Sequence, residues 1–289
     1  MKQESPDKII ELARQRIAER ERIEQQQARH ARIERIQAGE RFWQALFLVM
    51  IAMLLLVLFF WPGATLERKL YATVHGLVAQ KHTIVIDGRE LPVCARNLGI
   101  YSAYLISLAY LFGRGLGRAA ALPSRPILLI LGFFMLTMVG DGLNSLLEDT
   151  GRVYFYPPRN DLRTITGAVF GLALTPIILF VFNRVLRANA EPTRPVLSWV
   201  DLIALLGLNG IFVVAAHSGL SWLFWPLAFL GVIGILSELF TMHLLVAASV
   251  MGYRNAITRL TQLARPACVA LITTGLFTGG LAWLRFAGG

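Results

Sequence analysis

Residues 42–61, FWQALFLVMIAMLLLVLFFW, run for twenty residues without a formal charge. At a rise of about 1.5 Å per residue a helix of this length crosses about 30 Å, the hydrocarbon thickness of a bilayer. Outward from this stretch the pattern recurs. The sequence predicts seven spans, at about 42–61, 99–116, 126–147, 164–186, 197–216, 221–250 and 266–286, and therefore an all-α polytopic transmembrane helix bundle. The chain of 289 residues is 55% hydrophobic and 16% charged, which is a membrane composition. The charged residues before Phe42 and the length of the run argue against a cleaved signal peptide, so 42–61 reads as a start-transfer anchor.

The formal charge of +10 does not point to nucleic acid, because the basic residues sit in short clusters between apolar runs. Arg114, Arg118 and Arg125 follow the second span, Arg184, Arg187 and Arg194 the fourth, and Arg254, Arg259 and Arg265 the sixth. The alternate loops are also basic, so the tail with Lys2, Lys8 and eight arginines decides the orientation. The expected location is the cell (inner) membrane, with the N-terminus cytoplasmic and the C-terminus outside. Cys94 and Cys268 then start from opposite faces, too far apart for a disulfide.

Two regions follow from this reading: residues 1–41, a cytoplasmic charged amphipathic helix, and residues 42–289, the transmembrane helical domain. Residues 6–40 are rich in Glu, Arg, Gln and Ala, good helix formers with opposite charges three or four apart. This segment is a solvated helix leading into the first span, or a surface for a cytoplasmic partner or a second copy. Membrane lipids are the expected surroundings of the rest.

Between the first two spans lies a small structured outer loop. Leu66, Leu70, Val74 and Leu77 recur at helical spacing and predict a short amphipathic helix. Ile84, Val85 and Ile86 favour a strand, and Asp87-Gly88 is a two-residue hairpin signal. In the second outer loop Tyr154, Phe155 and Tyr156 read as an interfacial aromatic belt. Pro157 and Pro158 then keep the chain extended until Asn160 or Asp161 caps the fourth span.

Asp141, Asp201, Glu238 and His243 are ionisable residues inside predicted spans, where charge is unfavourable by at least about 2.5 kcal/mol. Asp141 belongs to the outer half of its span and Asp201 lies near the inner surface. Asp141, His75 and Cys94 are candidate catalytic groups, and Arg96, Tyr101, Asn144, Asn160, Arg163 and Thr166 candidate substrate-binding groups around them. The same cluster also reads as an ion pair that holds three helices together. Glu238 and His243 form an alternative proton path, although five residues of helix turn them about 140° apart.

Two motifs carry a family resemblance. LPVCARNLGIYSA at 91–103, the later intramembrane Asp141, and RNDLRTITGAVFG at 159–171 resemble, over about residues 70–172, the predicted membrane proteins of domain of unknown function 2085. Mapped here, the family pattern falls on His75, Cys94, Arg96, Gly99, Tyr101, Asp141, Asn160, Arg163, Thr166, Gly167 and Gly171. Val74 and Asn97 stand where relatives often have cysteine, so a metal or disulfide built on those cysteines is lost here. The resemblance implies a polytopic membrane protein with an outer-face polar cluster, and no activity.

Several functions stay open. A membrane-embedded enzyme or binding protein for a polar or anionic headgroup would use Arg96 and Arg163 as the anion clamp. A transporter or proton-coupled channel would use Asp141, Glu238 and His243. A metal or haem carrier would draw on His75, His82, His217, Cys94 and Asp141, but no tight ligand spacing specifies a metal, and the cofactor is unknown. An assembly factor would act through its charged helix. Gly167 and Gly171 form a small-xxx-small pair, which predicts close approach of a neighbouring helix.

Overall fold

A computed structural model describes residues 6–37, 39–77 and 81–287. Residues 1–5 of the charged tail, with Lys2, residues 78–80 at the end of the amphipathic segment, and the last two residues lie outside that set. The described chain forms α1 (Pro6–Gln37), α2 (Glu40–Phe60), α3 (Leu66–Val74), a hairpin of β1 (Thr83–Ile86) and β2 (Arg89–Cys94), α4 (Ala95–Gly113) and β3 (Ala119–Ala121). It continues with α5 (Arg125–Asp149), α6 (Asn160–Leu186), β4 (Glu191–Pro195), α7 (Trp199–Ala216), α8 (Phe224–Val250) and α9 (Ala264–Ala287). It is an all-α helix bundle with two small strand pairs.

Among the described residues, six helices are long and apolar enough to cross a membrane: α2, α5, α6, α7, α8 and α9, the last two each with a preceding 3-10 turn. They correspond to six of the seven expected spans. The remaining one, expected at 99–116, is α4, which begins and ends earlier and falls short in apolarity because it carries Arg96, Asn97 and tyrosines. Its polarity is tolerated because it is enclosed. α4 packs chiefly against α6 and α8, and Ala95, Leu98, Ala103, Tyr104 and Leu111 have no exposed surface.

Glycine makes that enclosure this tight. A Cβ on Gly167 would stand 2.2 Å from the Arg96 carbonyl oxygen, and one on Gly171 would stand 2.0 Å from that of Ile100. The reverse holds too, since a Cβ on Gly99 would lie 2.3 Å from the Thr164 carbonyl oxygen. α4 and α6 thus meet backbone to backbone, which is the close approach expected from the small-residue spacing.

Contacts between helix ends fix the alternation. At the end that carries the β1–β2 hairpin, Arg285 Nη1 donates to the His75 carbonyl at 2.7 Å, and His217 Nε2 lies 2.9 Å from Thr164 Oγ1. At the far end, Arg114 pairs with Asp201 at 3.2 Å, β3 lies parallel to β4, and Arg187 bridges to Ile257. Asp201 also forms a reciprocal capping box with Ser198, which explains a carboxylate near the start of α7. Cys94 and Cys268 are both free, and they sit at opposite ends of the bundle.

The segment between α2 and α4 is built as its sequence indicates. Leu70 and Val74 of α3 are buried, and Leu66 and Leu77 pack on the same core cluster. Asp87 and Gly88 take positive φ of 51° and 73° at the turn, where glycine carries no Cβ penalty. Arg89 then pins the hairpin, 3.1 Å from Glu67 and with its guanidinium 3.9 Å from the centre of the Phe224 ring.

Candidate functional site at the hairpin end

β2 delivers Cys94 as the N-cap of α4, so Arg96 falls in the first turn and reaches across to α5. Its Nη2 donates to Asp141 Oδ2 at 2.6 Å, to the Asp141 carbonyl at 3.1 Å and to Ser145 Oγ at 2.8 Å, while Nε donates to Oδ2 at 3.2 Å. The other carboxylate oxygen, Oδ1, accepts from Tyr156 Oη at 2.7 Å. Thr166 Oγ1 lies 3.2 Å from Oδ2 and also donates to its own helix at Leu162. Three helices and the α5–α6 loop therefore converge on one carboxylate, whose side chain is 1% exposed.

Arg163 sits beside this pair without joining it. It is buried and donates to Glu148 Oε2 at 3.1 Å, to Asn160 Oδ1 at 3.3 Å and, at the limit of a hydrogen bond, to Ser145 Oγ at 3.4 Å. Ser145 links the two arginines. Glu148 follows Asp141 by seven residues, two helical turns, and so shares its face of α5.

Other candidate residues take different posts. Asn144 fastens the α5–α6 loop: its Oδ1 accepts from the Phe155 amide at 2.8 Å and its Nδ2 donates to the Tyr156 carbonyl at 2.8 Å. Asn160 is the first residue of α6 rather than its cap, and its Nδ2 donates to the Thr83 carbonyl at 3.0 Å. The side chain bridges to the hairpin instead of to its own helix, and Arg159 is the N-cap. Phe155 is 87% exposed, as an aromatic belt requires, whereas Tyr156 turns inward to Asp141. Burial, and then the adjoining Asp141 carboxylate, push the Tyr156 phenol up to about 12, so it remains a donor at neutral pH.

His75 is not brought to this cluster by any described contact. Its ring stacks on Phe286 at 4.3 Å and tilts against Tyr71 at 5.2 Å, on the α9 flank. Tyr101 faces α8, where its carbonyl oxygen would stand 2.5 Å from a Cβ on Gly234. Cys94 is half-buried, and burial pushes its thiol up against the lowering pull of the Asn97 amide and the Arg96 charge.

Glu238 and His243 face different neighbours, as their separation along α8 requires. Glu238 lies in electrostatic range of Tyr101 and Tyr104 on α4, and its Oε2 is buried with no hydrogen-bond partner among the described residues. His243 Nδ1 lies 2.9 Å from Thr274 Oγ1 on α9. For metals, His82, Glu148 and Asp149 bring their ligand atoms within 4.8 Å of one another. His82 Nε2 is 3.2 Å from Asp149, but Glu148 is already held by Arg163. Of the histidines, Cys94 and Asp141 considered as a metal-carrier set, only His82 enters this group.

Residues 78–177 match the family model described as Predicted membrane protein (DUF2085). The DUF2085 segment runs from the hairpin through α4 and α5 into α6. It contains Arg96, Asp141, Ser145, Glu148, Tyr156, Arg163 and Thr166, the whole polar network, while Val74 and His75 precede it. No curated protein and no solved structure matches the chain.

Sequence reasoning had not assigned Glu148 or Tyr156. The two-turn spacing from Asp141 would have found the first. The second carries no periodic signal, because it depends on an extended loop folding back over the bundle.

Proposed function

We propose that the hairpin end is a membrane-embedded binding site for an anionic group, on a lipid headgroup or a small molecule, with Arg96 as the contacting residue. The observation that carries this reading is the state of its guanidinium. Nε and Nη2 are held by Asp141 and Ser145, whereas Nη1 makes no hydrogen bond among the described residues and the side chain is 21% exposed. A planar donor fork oriented in advance loses less entropy on binding than a free one. α4 also starts here without a side-chain cap, so its first-turn amides favour the same charge. Asp141 is a positioning residue in this account, and Tyr156 and Thr166 steady it.

The test uses inorganic phosphate and glycerol phosphate, titrated against the purified protein in mild detergent at constant ionic strength. Both should raise the unfolding temperature of the wild type. Arg96→Lys keeps a positive charge beside Asp141 but removes the free edge, so it should lose the response, read against its own basal unfolding temperature. A wild type indifferent to both anions, or an Arg96→Lys response equal to the wild type, sinks the reading.

The same reading sets the protein in the cell (inner) membrane with the N-terminus and far end cytoplasmic and the hairpin end outside. What supports it is the N-terminal tail, with Lys2, Lys8 and eight arginines. Reporter fusions after Arg118, Gly151, Arg187 and Gly289 should read in, out, in, out; two successive fusions on one side contradict it.

A second reading, proton-coupled transport, has its own observation in the partnerless Glu238 Oε2. Ser102 and Ser107 on α4 and Asn209 on α7 also bury an oxygen without a partner among the described residues. In vesicles containing a pH-sensitive dye, Glu238→Gln should abolish a proton flux seen with the wild type. Equal flux for the two proteins rejects this reading.

A further inference from the structure

At the far end, on the outer surface of the bundle, α6 and α8 leave a groove of about 460 Å³. Its walls divide by chemistry. Arg184 from the last turn of α6 and Arg254 from the loop after α8 line it with Ser249 and Asn255, and no acid is among the described residues that line it. Val246 and Val250 of α8 are 61% and 82% exposed. Arg184 is exposed and forms no ion pair or hydrogen bond among the described residues. One turn of α6 on, Arg187 is buried and bonded through Nε to the Asn183 amide, which adds charge without a carboxylate to neutralise it.

The groove is also rigid. Gly252 takes a φ of 82° to end α8, and the chain then docks on the end of α6. The Asn255 amide donates to the Val185 carbonyl at 2.9 Å, the Ala256 and Ile257 amides donate to Leu186 at 3.1 Å each, and the Ala188 amide donates back to Ile257 at 2.8 Å. The α6 carbonyls that would otherwise repel an anion at a helix C-terminus are thereby occupied. The loop thus brings Arg254 to the same groove as Arg184.

We propose that this groove holds one anionic phospholipid, its phosphate between Arg184 and Arg254 and an acyl chain along Val246 and Val250. Charge complementarity selects the headgroup and the exposed valines select a lipid over a free anion. The site is separate from Arg96, which lies at the other end of the bundle.

Native mass spectrometry on the full-length protein, released from nanodiscs of phosphatidylcholine doped with phosphatidylglycerol, tests this. The wild type should retain phosphatidylglycerol selectively. Each arginine near an anionic surface contributes roughly a fivefold factor, so Arg184→Gln with Arg254→Gln should weaken retention roughly thirtyfold. Arg125→Gln, a far-end arginine outside the groove, should leave retention unchanged. Retention by the double variant equal to the wild type overturns the proposal, and so does an equal loss from Arg125→Gln, which would mean diffuse surface charge. Displacement of the lipid by glycerol phosphate at matched concentration overturns the acyl-chain part. Loss from Arg96→Lys alone moves the lipid to the hairpin end, against this inference and in favour of the anion site there.

Discussion

Two arginines within one network have different partners, and a thermodynamic cycle can separate them. Asp141 is buried and its partner Arg96 only partly so, and removing Arg96 leaves a desolvated carboxylate, a loss of up to about 3–5 kcal/mol. Asp141→Asn and Arg96→Gln should each destabilise strongly, and the double variant should recover much of the loss in a denaturation cycle. Arg163→Gln should couple to Glu148→Gln and show little coupling to Asp141→Asn, because Arg163 donates to Glu148 and reaches the Asp141 cluster only through Ser145. A cycle that couples Arg163 to Asp141 more strongly than Arg96 does would contradict the geometry. The presence of Arg96, Asp141 and Thr166 in one place was legible from their depth near the same ends of three helices. Which arginine met which acid was not, since that depends on the rotation of α4 against α5, set by packing.

Among the helices, α4 and α6 make the contact most sensitive to a single methyl group. Gly171→Ala would put a carbon against the Ile100 carbonyl, which is backbone and has no rotamer with which to yield. Overpacking of this kind is unfavourable by about 1–3 kcal/mol, and occasionally more. Gly142→Ala on α5 meets nothing within 4 Å and should be neutral or slightly stabilising through helix propensity. Unfolding of the two variants in detergent checks this; equal effects would mean that the helices stand further apart than described. The spacing of Gly167 and Gly171 announced this interface in the sequence. The parallel pairing of β3 with β4 went unannounced, because three alanines and a proline-bounded segment carry no strand periodicity. The limits of α4 were misread by about one turn for a related reason: apolarity begins at Leu98, but the helix begins where β2 ends.

Across the whole molecule, α4 is tied at both ends, by Arg96 to Asp141 of α5 and by Arg114 to Asp201 of α7. Eighteen residues of helix, about 27 Å, separate the two arginines, so breaking both pairs should lower the unfolding temperature by the sum of the separate effects. Arg114 is largely solvated, so its pair should contribute the smaller share. A non-additive result would show that the two ends melt as one unit. The enclosure of a helix with this much polarity also bears on biogenesis. The translocon meets α4 before the glycines of α6 that make room for it have been synthesised, and α4 alone lacks the apolarity that admits the other spans. Chains truncated after Arg118 and released from the ribosome should therefore leave α4 exposed to glycosylation-site mapping in microsomes, and released chains truncated after Arg187 should protect it. Protection at the shorter length would mean that α4 partitions into lipid unaided.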